Sequence, residues 1–189
     1  MYWLKRWLIW IYRWRHYRGF GVQSPSDYSF IRYVINEHYP YYAYEDLANR
    51  YPDLSPMIRK KAELLFRIAN WIQPPTALIM SEHNLYKDYI NAGCRMTSVR
   101  FDSNYTCENI GKLTIVSALS IQEDKLTDLV SNLKDGHVLV MDDIDKRLGC
   151  MLWQKLIKNE RATISFDLYY MGIVLNVDKR YKHDYIVNF

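Results

Sequence analysis

Two adjacent carboxylates, Asp142 and Asp143, follow the clearest apolar segment of the sequence. That segment, residues 137–141, is apolar after its histidine and predicts a buried parallel strand, so both acids should lie at a strand's carboxyl end. Ligands bind at this edge of open α/β sheets, where paired carboxylates and Asp145 could hold a divalent cation. Adjacent acids without converging partners usually shape a loop or cap a helix. We expect that structural role and no metal.

Other catalytic arrangements are missing from the sequence. It has no G-x-S-x-G turn for a serine nucleophile and no P-loop for a nucleotide phosphate. The histidines lack metal-site spacing, and the three cysteines form no C-x-x-C pair. We expect these cysteines to be reduced, mostly buried thiols of a cytoplasmic protein; they are Cys94, Cys107 and Cys150.

The first residues predict an amphipathic helix from Tyr2 to Tyr17 that carries a stripe of tryptophans. The stripe consists of Trp3, Trp7, Trp10 and Trp14. Aromatic stripes at helical spacing usually pack, so we expect this one to contact the body of the protein, a protein partner or a second subunit in a homodimer. The alternative is a peripheral membrane protein, because a basic helix with interfacial tryptophans can lie on an anionic membrane surface.

The positive charge of the chain is concentrated at its beginning. The formal net charge is +4, and residues 1–26 contain five basic side chains and no acid: Lys5, Arg6, Arg13, Arg15 and Arg18. The rest of the chain is therefore close to neutral. Because a nucleic-acid-binding domain needs a basic face, we expect no nucleic-acid partner.

The 189 residues of the chain, with 49% hydrophobic and 24% charged residues, can bury one sizeable core. No run of 18 uncharged apolar residues is present, so we expect no spanning helix. The pattern divides the chain into a basic aromatic helix over residues 1–18, a helical cap region over 19–75 and a Rossmann-like α/β domain over 76–189.

The last of these regions alternates short apolar strands with helices, which predicts a mostly parallel α/β sheet. Its final three strands follow one another without helices, which predicts an antiparallel C-terminal edge. The predicted strands cover residues 76–80, 96–101, 113–119, 137–141, 162–167, 172–177 and 184–189.

Several strings in this order resemble class I S-adenosylmethionine-dependent methyltransferases, in particular a bacterial O-methyltransferase-like subgroup. The strings are GFGVQSP at 19–25, YYAY at 41–44, LLFRIAN at 64–70 with QP at 73–74, VLVMDDI at 138–144 and ISFDLYYMGIV at 164–174. The resemblance covers the chain from about residue 17 onward. It implies a Rossmann-like sheet with an antiparallel hairpin at one edge, and S-adenosylmethionine as the cofactor of a working member.

The connection after the first strand departs from that family. Its members have an acidic, glycine-rich E-x-G-x-x-x-G loop here, in which glycines let the backbone approach the cofactor. This chain has no glycine between Met80 and Gly93. Glu82 is either a displaced remnant of the acid or a solvated loop charge, and we favour the latter. We expect His83, Asn84 and Tyr86 to project into the space of the cofactor's methionine part.

The resemblance also places Asp102, at the end of the second strand, as the acid that binds the ribose hydroxyls. A turn-forming Asp is an equally good interpretation. Only ten residues separate Asp102 from Leu113, too few for a crossover and a further strand. The sheet is therefore predicted to be shortened by about one strand and one helix.

These departures favour a methyltransferase-like protein that has lost S-adenosylmethionine binding and now serves as an interaction or regulatory protein. Whether the chain is an enzyme stays open at this point. If it is an active S-adenosylmethionine-dependent O-methyltransferase on a small molecule, Asp102 would hold the ribose and Asp142 or Asp143 would orient the acceptor. In a vestigial site, Asp102, Glu82 and His83 would be the remnants of cofactor binding.

Overall fold

A computed structural model describes residues 2–14, 21–81, 83–102 and 110–189 of the chain. These residues form seven helices, one of which continues as a π-helix, and seven strands. In chain order they are α1 (Tyr2–Tyr12), α2 (Pro25–Phe30) with the π-helix Ile31–Ile35, α3 (Tyr42–Arg50), α4 (Pro56–Ile72), β1 (Thr76–Met80), α5 (Leu85–Gly93), β2 (Ser98–Phe101), β3 (Leu113–Ser117), α6 (Glu123–Ser131), β4 (Val138–Asp142), α7 (Arg147–Leu156), β5 (Ile164–Asp167), β6 (Met171–Leu175) and β7 (His183–Ile186).

The strands form one sheet in the order β2-β1-β3-β4-β6-β5-β7. Strands β1 to β4 are mutually parallel, β6 runs antiparallel between β4 and β5, and β7 lies parallel to β5 at the far edge. This confirms the predicted fold class, a Rossmann-like, mostly parallel sheet with an antiparallel C-terminal edge. Within the described part of the chain, β3 is the next strand after β2; the sheet has seven strands, and its predicted shortening stays a prediction.

Helices cover both faces of the sheet because successive strand residues point to opposite sides. On one face Ala77 and Ile79 of β1 pack with α2, α4 and α5 in the larger core. On the other face Leu78 and Met80 pack with α6 and α7. The helices of residues 25–72 thus share a core with the sheet, while the proposed division at residue 75 stays a prediction.

Local capping residues determine where helix α4 begins and ends. The Ser55 side chain accepts a hydrogen bond from the Ile58 amide at 3.3 Å, and Pro56 occupies the first turn, as is typical of a helix start. The helix ends at Gln73, whose φ of +44° lies in the left-handed region. Helix α4 therefore holds a fixed register along the face of the sheet.

The amphipathic pattern of α4 favours solvent exposure of its basic residues, but two of them are not exposed. Lys61 and Arg67 are buried. The Arg67 guanidinium donates to the carbonyls of Val34 at 2.6 Å and Ile35 at 3.3 Å, at the end of the π-helix. These carbonyls lie where a helix end leaves acceptors unsatisfied, so a buried cation is stabilised there.

Candidate functional site

The carboxyl ends of β1 to β4 meet at one edge of the sheet because these strands are parallel. The chain passes from β1 outward to β2 and then returns to β3 on the other side of β1. Such a reversal of strand order separates the connections that leave neighbouring strands and opens a crevice between them. Any small-molecule site of this fold is expected at that position.

A cleft of about 430 Å³ lies at this reversal point, within the size range of small-ligand pockets. Its lining comes from the ends of β1 and β2 and from the turn after β3: Ile79, Met80, Ser81, Asn84, Phe101, Asp102, Ser120 and Ile121. The lining is therefore mixed, with apolar walls and a few polar groups. The cleft opens to solvent at the position where the sequence analysis placed the cofactor site.

The predicted cofactor residues lie at different distances from this cleft. Asp102 lines it, as does Asn84. The His83 ring packs edge-on against the Tyr86 ring, 5.2 Å between centroids. Glu82 lies outside the described residues. The structure thus brings Asp102 and Asn84 together at one opening, while His83 packs on Tyr86.

Tyr86 is not among the residues that line the cleft. The side chain is fully buried, and its hydroxyl donates a hydrogen bond of 2.7 Å to Oδ2 of Asp142. Burial raises the pKa of Tyr86 well above its ordinary value, and the negative charge of Asp142 raises it further. The phenol therefore stays protonated and serves as a donor.

Asp142 is completely buried at the end of β4, and both of its carboxylate oxygens are bonded. Oδ1 accepts from the ammonium of Lys61 and, at 2.8 Å, from the amide of Asp143. Oδ2 accepts from Tyr86. A buried carboxylate requires such partners, because an unpaired charge in the interior is costly. Helix α4, the start of α5 and strand β4 are thereby joined by one polar cluster.

Asp143 lies at the outer side of this cluster, with a left-handed backbone φ of +61°. Its Oδ2 accepts from the Ser117 hydroxyl at 3.0 Å, and its Oδ1 lies 3.5 Å from the Lys61 ammonium. Close packing fixes the loop, since a Cβ on Gly149 of α7 would lie 2.1 Å from the carbonyl oxygen of Asp143. Asp143 is thus held in place by contacts on both its side chain and its backbone.

Metal binding finds no support in the arrangement of these acids. Among the residues that the structure describes, no group of three or more His, Cys, Asp or Glu is placed to hold a metal ion. Asp142 and Asp143 face a lysine, a tyrosine hydroxyl and a serine hydroxyl instead. Sequence reasoning missed Lys61 and Ser117 as site residues, and it did not place Tyr86 beside Asp142.

A signal for Lys61 was present in the sequence. Lys61 shares a helical face with Leu64, Leu65 and Ile68, which are all buried, because residues three, four and seven apart lie on one side of a helix. A lysine on an apolar stripe requires a buried anion. Asp142, which follows the clearest apolar segment of the sequence, supplies that anion.

S-adenosylmethionine fits this cleft at one end only. The carboxylate of Asp102 lies where the nucleoside half would bind. At the other end, the β1–α5 connection has no glycine, and Tyr86 ties its first helical turn to Asp142. The residues present therefore do not provide the close backbone approach that the methionine half needs.

The tryptophan stripe of α1 faces solvent, not the body of the protein. Trp7, Trp10 and Trp14 are 58%, 51% and 59% exposed, so packing on the body is wrong for these three; Trp3 lies in α1, and its side chain is outside the description. None of the described helices has the length and apolar content that crossing a membrane needs. One cysteine also differs from expectation: Cys150 is exposed, Cys94 is buried, and Cys107 lies outside the described residues.

No protein-family model matches the sequence, and no curated protein matches it at a significant level. Several solved structures match it at a significant level, among them two cofactor-bound proteins. The SAH-bound methyltransferase PaMTH1 from Podospora anserina has a TM-score of 0.48 at 11% identity, over 83% of this chain and 97% of that chain. Cofactor-bound Rv0187 from MTB has a TM-score of 0.43 at 10% identity, over 71% and 88%.

Proposed function

We propose that this chain is a methyltransferase-like protein that no longer transfers methyl groups and acts as an interaction or regulatory protein. The observation that carries the proposal is the buried cluster of Lys61, Tyr86 and Asp142. Asp142 lies at the strand end where an acceptor would be oriented, yet both of its oxygens are bonded within the protein. Its side chain is fully buried, so it presents no surface to an acceptor hydroxyl.

The same cluster also affects the cofactor side of the sheet edge. Tyr86 lies in the first turn of α5, directly after the connection that would have to cradle the cofactor. Its bond to Asp142 fixes this turn against the core, and Asn84 lines the cleft beside it. Without glycine, the connection cannot adopt the close approach that a glycine-rich loop allows. The acceptor side and the cofactor side of a methyl-transfer site are therefore both impaired.

A working methyltransferase is the second candidate, and the open cleft favours it. The volume of about 430 Å³ and the position of Asp102 suit a nucleoside at the reversal point of the sheet. In this candidate Asp102 would bind ribose hydroxyls, and the connection after β1 would bind the rest of the cofactor in an unusual conformation. Ligand binding distinguishes the two candidates without knowledge of an acceptor.

Thermal unfolding of the full chain with S-adenosylmethionine or S-adenosylhomocysteine tests the proposal. At about one hundred times its dissociation constant, a bound ligand would stabilise the protein by roughly 2.7 kcal/mol. For a chain of this size, that would raise Tm by roughly 5–10 °C. We expect no measurable rise with either ligand, while a known S-adenosylmethionine-binding enzyme measured in parallel shows one.

A reproducible rise in Tm would overturn the proposal. The variant Asp102→Asn then locates the binding, since loss of the rise assigns it to the cleft. Asp178→Asn is the matched control, because Asp178 is an exposed carboxylate in the β6–β7 connection. A rise that survives both substitutions would mean that the ligand binds elsewhere on the protein, which would also contradict loss of binding.

A further inference from the structure

Among the described side chains of residues 2–14, Ile9 and Arg13 lie on the side that contacts the body of the protein. Ile9 is half-buried on that side, and Arg13 donates to the Asp167 carboxylate at 2.9 Å while its guanidinium lies 5.3 Å from the centre of the Tyr169 ring. Asn188 donates to the Trp10 carbonyl at 3.4 Å. These contacts fix the rotation of the helix about its own axis. The opposite side is therefore presented to solvent in a defined orientation.

That opposite side is an apolar face of six large side chains, all exposed: Leu4, Trp7, Leu8, Trp10, Ile11 and Trp14. At about 100° per residue, these positions span an arc of roughly 160° centred opposite Ile9. So wide an exposed apolar face marks an interaction surface. Its aromatic members are tryptophans, which combine an apolar ring with an N–H donor and suit the boundary between water and hydrocarbon.

Charge indicates what covers this face. Residues 1–26 carry five basic side chains and no acid. Arg13 is paired with Asp167, which leaves four for a partner, and Lys60 and His38 border a pocket beside Trp10. Two copies docked through α1 would bring two such basic segments together, which like-charge repulsion opposes. An anionic surface instead attracts them, by about 1 kcal/mol for each Lys or Arg close to it.

We propose that α1 docks the protein on an anionic phospholipid surface, with the helix in the plane of the interface and its apolar face inserted among the acyl chains. The inference deepens the proposed function by naming the partner of an interaction protein. The Arg13–Asp167 contact sets which side of the body faces the lipid. Docking through α1 does not depend on what the cleft at the sheet edge binds.

Co-sedimentation of the full chain with phospholipid vesicles tests the docking. We expect the protein to bind vesicles that contain phosphatidylglycerol, to bind pure phosphatidylcholine far more weakly, and to dissociate as salt is raised. Vesicles with brominated acyl chains should quench part of the tryptophan fluorescence, because the rings reach the hydrocarbon. Equal binding to both vesicle types, or binding to neither, would overturn the proposal.

Substitutions on the exposed face separate docking from loss of structure. Trp7→Ser with Trp14→Ser should lower the partition coefficient about tenfold or more, because both rings are solvent-exposed and insert only on binding. Trp71→Ser is the matched control, since Trp71 of α4 is exposed to a similar degree and should leave partitioning unchanged. An unchanged coefficient for the double variant would contradict docking through α1.

Charge reversal gives a second and independent test. Lys5→Glu with Arg6→Glu should lower partitioning into anionic vesicles by about fivefold or more for each cation removed. Sedimentation equilibrium addresses the alternative occupant: a dimer that the tryptophan substitutions dissociate, together with no vesicle binding, would assign the face to a second copy. Failure of vesicle binding leaves the thermal-shift result with S-adenosylmethionine untouched, so the two proposals fail separately.

Discussion

At the residue scale, a buried carboxylate is stabilised here because both of its oxygens accept hydrogen bonds within the protein. Asp142 has no solvent access, and its partners come from three different elements, α4, α5 and the loop after β4. A half-satisfied group at this depth would cost more than the pairing contributes. Removing one partner should therefore be more damaging than removing the charge together with its partner.

Lys61→Met should destabilise the fold strongly, because it leaves the Asp142 carboxylate buried without its cation. Breaking a buried ion pair in this way costs about 3–5 kcal/mol, which urea unfolding at neutral pH would measure. The double variant Lys61→Met with Asp142→Asn should recover a substantial part of that loss. If both variants lose the same free energy, side-chain packing and not charge is what Lys61 contributes.

Asp27 makes a second paired cluster, between α2 and the C-terminal segment. Arg180 donates to both carboxylate oxygens, at 2.8 and 2.9 Å, and Tyr185 donates to Oδ2 at 2.9 Å. Burial by itself would raise the pKa of Asp27, but the bonds from Arg180 and Tyr185 together outweigh it, so the pKa is lowered. The ionised form is thus favoured by folding.

Asp27→Asn should cost about 1–3 kcal/mol at pH 7, with a defined pH dependence. A lowered folded-state pKa gives stability that is present above the unfolded pKa of about 3.9 and is lost as pH falls through the folded value. The difference between wild type and variant should therefore shrink below about pH 4, as urea unfolding over a pH series would show. A pH-independent difference would contradict this origin. Asp178→Asn, at an exposed pair, should change stability by less than about 1 kcal/mol.

At the scale of elements, hydrophobic periodicity predicted which helices and strands form, but not which polar side chains are buried. The apolar runs at 76–80 and 137–141 predicted β1 and β4 to within a residue, because a buried parallel strand leaves an unbroken apolar signature. Sequence also placed Asp102 and Asp142 at the same edge. The apolar stripe around Lys61 is a signal for its inward position, but amphipathic patterns assign a charged residue to solvent unless its partner is known.

The turn between β1 and α5 shows the same limit. The absence of glycine was visible in the sequence and predicted a changed loop. The direction of Tyr86 was not, because it depends on Asp142, which lies 56 residues away along the chain. Long-range pairing of polar side chains decides the chemistry of this site, and local patterns contain no information about it.

Gly149→Ala provides a test of how α7 is held. Helix propensity alone would make Ala more stable than Gly by up to about 1 kcal/mol. The Cβ, however, would lie 2.1 Å from the Asp143 carbonyl oxygen, and a backbone atom cannot rotate away. We expect a loss of about 1–3 kcal/mol in the free energy of unfolding, measured by urea unfolding. Leu148→Ala, at an exposed neighbour, should be nearly neutral, and a stabilised Gly149→Ala variant would contradict close packing at this point.

At the scale of the whole molecule, the residues that stabilise the fold are different from those that form the exposed apolar face of α1. The two cores on either side of the sheet contain residues from α2 to β7. No described residue of α1 belongs to either core, and its described large apolar side chains other than Ile9 are exposed. The helix is held by polar contacts to Asp167 and Asn188 instead. A segment so attached contributes little to folding, which leaves its apolar face available for a partner.

A chain that begins at Gly21 should therefore fold. It loses the Arg13–Asp167 pair and the Asn188 bond, for which we expect a cost below about 2 kcal/mol. The urea m-value should hardly change, because it reflects the surface exposed on unfolding and both cores are retained. Far-UV circular dichroism through a urea series measures both quantities. Loss of a cooperative transition would show that α1 is part of the folded core. If the shortened chain folds but no longer binds anionic vesicles, α1 provides attachment to the lipid surface without being needed to hold the sheet together.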